Sequence, residues 1–228
     1  MCYTTKKRWE LIMLKTEMKN IMIIGDSYST FRGYIPKGYA VYYDENSGTD
    51  VFKVENTWWH RFVSETGVNL VLNDSWSGST VCYTGRQSPE YGYRSSFVNR
   101  MHLMIKENFF KENKIDTVFV FGGTNDSWLD TTPKGEVQLS DWKEEDLYST
   151  LPAICYMAAT LKKELPEGNV VFIINTDLQP KISEAIKLAC DTFGASYVEL
   201  ESIDKTSGHP TTLGMEQIKD QLKSALGI

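Results

Sequence analysis

Five short apolar runs punctuate the chain, and helical spacing follows most of them. Ile21-Met22-Ile23-Ile24, Val68 to Leu72, Thr117-Val118-Phe119-Val120-Phe121, Val170 to Asn175 and Tyr197 to Leu200 predict five strands. The first run is continuous rather than alternating, as in a strand covered by helices on both faces of a parallel sheet. Between the strands, Asn56 can cap a helix that carries Trp58, Trp59, Phe62 and Val63 and ends near Gly67. A second helix is expected from about Ser96 to Lys111, with Phe97, Met101, Met104 and Ile105 on one side. A third is expected from about Lys143 to Leu165, kinked or split at Pro152. Pro180 to Phe193, closed by Gly194, and a last helix from near Thr211 complete the pattern. Strands alternating with helices give an α/β chain with a doubly wound parallel sheet.

Three of the strands run into polar turns: Gly25-Asp26-Ser27, the stretch Asn73 to Thr80 that contains Gly78, and Gly122-Gly123-Thr124-Asn125-Asp126. In a parallel sheet these turns share the carboxyl edge, where ligands of open α/β sheets bind. After Ser27, about thirty residues interrupted by Gly33, Pro36, Gly38 and Gly48 do not read as helix. Such loops often bind or cover ligands. Tyr28, Phe31, Tyr34, Tyr39, Tyr42 and Tyr43 suit either a pocket wall or a hairpin ordered by its own aromatics.

Composition removes several classes of function. Thirty acidic against twenty-four basic residues leave a formal charge of −6, with no Lys/Arg block to track a phosphate backbone, so nucleic acid is not an expected partner. No apolar run approaches the roughly 20 residues of a membrane span, and the first residues lack the uninterrupted apolar core of a signal peptide. The expectation is a cytoplasmic protein with no membrane partner. Residues 1–17 are read as an N-terminal extension or short helix, with a native start at Met18 considered, and 18–228 as a single domain. Cys2, Cys82, Cys155 and Cys190 are widely spaced and read as reduced thiols.

A nucleophilic serine needs a base, a group to orient that base, and donors for the oxyanion. Of the three histidines, His60 and His102 lie within helices and read as structural. His209 sits in the loop Ser207-Gly208-His209-Pro210 before the last helix, with Asp204 five residues ahead. A short loop can hold a carboxylate on Nδ1 while Nε2 faces a serine.

With these residues in order, the chain resembles the SGNH, or GDSL, hydrolases. Gly25-Asp26-Ser27 is similar to the family's first block with its nucleophile, and Gly78 to the glycine of the second. Gly122-Gly123-Thr124-Asn125-Asp126 is similar to the third block, with Asn125 as its amide donor, and His209-Pro210 to the last. The family usually carries its aspartate three residues before the histidine, where this chain has Thr206, so Asp204 would have to reach from two residues further away.

The resemblance implies a flavodoxin-like three-layer α/β/α fold with a five-stranded sheet, no metal or other cofactor, and ester hydrolysis through an acyl-enzyme. Ser27, His209 and Asp204 would be catalytic, and the amides of Ser27 and Gly78 with the Asn125 side chain would form the oxyanion hole. Tyr28, Tyr34, Trp76 and Trp128, with Trp142 near the same edge, suit stacking on sugar rings. Acetyl removal from a carbohydrate is therefore the first expectation for the small-molecule ester. A lipid or thioester acylhydrolase is the alternative. A flavin binder of the same architecture, or an inactive sugar- or lipid-binding relative, are the rivals from another class.

Overall fold

The computed structural model describes residues 12–228. Strands β1 (Asn20–Gly25), β2 (Asn69–Ser75), β3 (Thr117–Phe121), β4 (Asn169–Ile174) and β5 (Ser196–Glu199) form one sheet in the order β2-β1-β3-β4-β5. Every neighbouring pair is parallel. The continuous apolar runs follow from this arrangement, because alternate residues of each strand enter different cores. Met22, Ile24, Val118 and Val120 pack in one with Phe97, Ile154 and Ile186; Ile21, Ile23, Phe119 and Phe121 pack in the other with Trp58, Phe62, Met215 and Ile218.

The helices are α1 (Trp58–Thr66), α2 (Pro89–Ser95), α3 (Phe97–Lys106), α4 (Phe109–Glu112), α5 (Thr124–Trp128), α6 (Thr150–Glu164), α7 (Pro180–Phe193) and α8 (Thr212–Leu226). Core contacts place α1 and α8 on one face of the sheet and α3, α6 and α7 on the other, giving three layers. Thr57 rather than Asn56 caps α1, its hydroxyl accepting from the His60 amide at 3.3 Å. The helix expected over 96–111 is broken after Lys106, where Asn108 takes the left-handed conformation (φ 57°) and starts α4. Pro152 does not kink α6. Residues Glu144–Tyr148 form a separate 3₁₀ turn, so Pro152 falls in the first turn of α6, where backbone N–H groups have no intrahelical partner to lose.

Residues 12–17, expected to precede the domain, lie against it. The Lys15 amide donates to Asn169 Oδ1 at 2.8 Å, and the Ile12 amide to the Ala225 carbonyl at 2.9 Å. The expected N-terminal helix otherwise falls outside the described residues, as does Cys2. Cys82, Cys155 and Cys190 are buried free thiols. Among the described residues no helix is long and apolar enough to cross a membrane.

Candidate active site

Strand order reverses beside β1, whose neighbours β2 and β3 run off to opposite sides, so the residues leaving β1 enter the crevice where such sheets bind ligands. Gly25 ends that strand against β2: a Cβ there would lie 2.5 Å from Ser75 Oγ and 2.9 Å from Ser29 Cβ, so a side chain would force the strands apart. Asp26 then caps the short 3₁₀ turn Ser27–Ser29, its Oδ1 accepting from the Tyr28 amide at 3.0 Å. This turn fixes Ser27, and Ser27 Oγ lies 3.0 Å from His209 Nε2.

His209 is delivered by a small hairpin, β6 (Lys205–Thr206) and β7 (His209–Pro210). Its two-residue turn, Ser207-Gly208, has positive φ at both positions (49° and 80°), the turn that matches strand twist in tight hairpins. Antiparallel pairing sets Thr206 opposite His209. The same turn brings the Ser207 carbonyl to 3.3 Å from His209 Nδ1. A carbonyl can only accept, so Nδ1 carries the proton and Nε2 is left bare toward Ser27.

Asp204 is not the partner of that imidazole. Its exposed side chain accepts from the Thr211 hydroxyl, and its carbonyl accepts from the Thr211 amide at 3.1 Å, closing the base of the hairpin. The position beside Nδ1 is filled by backbone, because a two-residue turn brings the Ser207 carbonyl there and leaves Asp204 beyond the paired strands. Ser27 and His209 come together; the expected third member does not join them.

Asn125 lies in α5, 2% exposed. Its Nδ2 donates to the Ser79 carbonyl at 2.9 Å and its Oδ1 accepts from Arg86 Nε at 3.3 Å. The backbone amides of Ser27 and Gly78 donate to no protein acceptor among the described residues. Three donors expected at an oxyanion hole thus sit on the turns after β1, β2 and β3.

Burial holds His209 well below its usual range, at about 4, the Ser207 carbonyl pulling upward and the charges of Arg86 and Lys205 pushing further down. At neutral pH the ring is an uncharged acceptor. Beneath the serine, the buried Asp26 carboxyl is raised to about 7, first by loss of water and then by the neighbouring Asp126, against the opposing Tyr28 amide.

Four aromatic side chains surround the histidine, and two of them, Tyr28 and Trp128, were expected as a substrate surface. Tyr42 stacks on it, centroids 3.5 Å apart and planes 8° from parallel, and Trp128, 42% exposed, meets it edge-on at 5.7 Å. Tyr28 is fully buried and its hydroxyl donates to the Gly208 carbonyl, while Tyr43 donates to the Pro210 carbonyl at 2.9 Å. These two tyrosines pin the hairpin rather than offer a surface to a ligand. Both readings of the aromatic loop hold in part: Phe31 and Tyr34 pack on each other, and Tyr42 walls the histidine.

Two other expected contacts, Trp76 and Trp142, are corrected. Trp76 is 4% exposed, stacked on Tyr39 and donating to the Tyr91 hydroxyl at 2.8 Å. Tyr34 is exposed and packs on Phe31 and Trp59. Trp142 packs on Tyr156 and Phe193 in the α6/α7 layer. Alternation of rings along a loop does not tell which of them the fold turns inward. His102 bonds the Tyr83 and Tyr156 hydroxyls and His60 bonds Ser64, as structural histidines do.

One supporting residue was missed. Arg100, 1% exposed, pairs with the buried Asp74 and donates to the carbonyls of Gly25 at 3.1 Å and Ser95 at 2.9 Å. It ties the ends of β1 and β2, the two strands that lead to Ser27 and Gly78, to α3. The available signal was an arginine at the same helical spacing as Phe97, Met101 and Met104, which the apolar pattern alone treats as an interruption.

The chain matches the GDSL-like Lipase/Acylhydrolase family over residues 19–226. A solved structure from Bacteroides ovatus, assigned as a GDSL-like lipase, is 38% identical, with a TM-score of 0.80 over 91% of this chain and 97% of that one. Another from Bacteroides uniformis, assigned in the same way, is 38% identical, with a TM-score of 0.82 over 92% of this chain and 96% of that one. At 17% identity, an acetyl xylan esterase from the rumen bacterium Butyrivibrio proteoclasticus shares the fold, with a TM-score of 0.55 over 93% of this chain and 65% of that one. No curated protein matches. A family match spanning the whole sheet and both of its helical layers, with two structures more than one-third identical along nearly their full length, establishes that the chain belongs to the GDSL-like lipase/acylhydrolase family of ester-cleaving hydrolases.

Proposed function

We propose that this chain removes short acyl groups, acetyl before longer ones, from a carbohydrate ester, using Ser27 and His209 as a catalytic dyad. The observation that carries the dyad is the 3.0 Å approach of Ser27 Oγ to a His209 Nε2 left unprotonated by the carbonyl on its other nitrogen. Ser27 Oγ attacks the ester carbonyl carbon while its proton passes to Nε2. The amides of Ser27 and Gly78 and the Asn125 Nδ2 hydrogen not used by Ser79 hold the oxyanion. Collapse expels the alcohol, which takes the proton from Nε2, and water then repeats the attack on the acyl-serine with His209 again as base.

No carboxylate supports the imidazolium in this scheme. The Ser207 carbonyl accepts from Nδ1, and the face of Tyr42 gains attraction as the ring becomes charged. The sugar reading is supported by Trp128, an exposed ring beside His209 of the kind that stacks on pyranose faces, and by the acetyl xylan esterase among the fold's distant relatives.

Hydrolysis of p-nitrophenyl acetate, butyrate and octanoate by the wild type and by Ser27→Ala tests the proposal, with acetylated xylan as the second substrate. Acetate should be preferred, and Ser27→Ala should lose at least about 10³-fold. A preference for octanoate would move the substrate to lipids, and equal rates for the two proteins would remove Ser27 as nucleophile.

A further inference from the structure

Asn125 can serve an oxyanion only with its nitrogen, and an amide has two ends of nearly the same shape. Turned over, it would present an oxygen to the developing negative charge. Two neighbours select the productive orientation. The Ser79 carbonyl only accepts and meets Nδ2 at 2.9 Å; the Arg86 guanidinium only donates and meets Oδ1 at 3.3 Å through Nε. Arg86 is on the loop after β2, is exposed, and its terminal nitrogens bond nothing among the described residues. Its Cδ lies 3.5 Å from where a Cβ on Gly78 would sit, so the side chain runs past one expected oxyanion donor to reach the next. Its charge also bears on His209.

We propose that Arg86 is a positioning residue for ester hydrolysis: it fixes the Asn125 amide with Nδ2 toward the oxyanion. This rests on the esterase reading above. Holding that amide needs no contact with the substrate, so the effect belongs to kcat.

The test is steady-state hydrolysis of p-nitrophenyl acetate by the wild type, Ser27→Ala, Arg86→Ala, Arg86→Lys, Asn125→Ala and the Arg86→Ala/Asn125→Ala double variant. Losing a donor outright costs about 10²–10³ in turnover, and loosening one should cost less, so Arg86→Ala should lower kcat on the order of tenfold with KM within about twofold. Lysine keeps the charge and a donor and should recover most of the loss. With Asn125 already replaced, removing Arg86 should cost under about twofold, because the amide it orients is gone. The acid limb of kcat/KM should move to higher pH in Arg86→Ala, since losing a nearby cation makes His209 easier to protonate. The other titratable groups around that ring, Tyr28, Tyr42 and Tyr43 from the long loop, Lys205 on its own hairpin and Asp26 beneath Ser27, stay unchanged. Melting temperature should not move.

An unchanged kcat, a loss confined to KM, or an equal loss in the Asn125→Ala background would overturn the assignment while an active wild type and an inert Ser27→Ala left the esterase reading standing. A wild type as inert as Ser27→Ala would remove both.

Discussion

Replacing Asp204 by asparagine should leave catalysis nearly intact. In a Ser-His-Asp triad the same change costs about 10⁴ in kcat, because the imidazole loses the acceptor that sets its tautomer. At about 1.36 kcal/mol per decade, that is on the order of 5 kcal/mol of transition-state stabilisation. Here the acceptor on Nδ1 is the Ser207 carbonyl at 3.3 Å, and the Asp204 carboxylate is engaged by Thr211. Asparagine keeps an oxygen for that hydroxyl, so kcat for p-nitrophenyl acetate at pH 7 should change by less than about threefold, or ~0.7 kcal/mol. Asp204→Ala removes the acceptor as well. Thr211 also caps α8 through the Gly214 amide at 3.2 Å, so the alanine variant should lose about 1 kcal/mol of stability and melt a few degrees lower with catalysis still present. Paired kinetics and thermal melts separate the two effects. A fall of 10³ or more in kcat for Asp204→Asn with an unchanged melt would show that a carboxylate reaches Nδ1 in the working enzyme, and the dyad would be abandoned.

Other consequences are open to the same methods. Tyr42→Leu should lower kcat severalfold, by about 1 kcal/mol, through loss of the stack on His209, while Tyr42→Phe should stay near wild type; equal losses in both would shift the role to the hydroxyl. Arg100→Met strands the buried Asp74 and should cost about 3–5 kcal/mol in denaturant melts, with Asp74→Leu added to it recovering part of the loss; an Arg100→Met melt like the wild type would disprove the clamp. With His209 held at about 4, kcat/KM should keep its plateau down to about pH 5; an acid limb near 6.5, the free imidazole value, would contradict its burial. Asp26 titrates at about 7 when folded, well above an unfolded carboxyl, so the stability linked to it is present in acid and is lost as pH rises through 7. Asp26→Asn should flatten that decline in melting temperature between pH 5 and 8, and an unchanged slope would place the titration elsewhere.

The sequence alone determined what depends on local pattern. Apolar runs that must be buried on both faces identified five parallel strands, and both ends of α7 and the start of α8 followed from Pro180, Gly194 and Thr211. Ser27, Gly78, Asn125 and His209 were legible as candidates because each lies in a turn after a strand or before the last helix, at a sheet edge that periodicity already implied. Tertiary structure decided what depends on direction and partner. Whether His209 is oriented by Asp204 or by backbone turns on a two-residue hairpin whose φ angles lie in Ser207 and Gly208, and spacing along the chain carries no such information. Which aromatic rings are turned inward is likewise decided by packing: Tyr28 and Trp76 are buried, and Trp128 stays exposed. Arg100 became intelligible only when the carbonyl ends of two strands were brought beneath it, because a buried cation is tolerated only where the fold supplies acceptors from several elements at once.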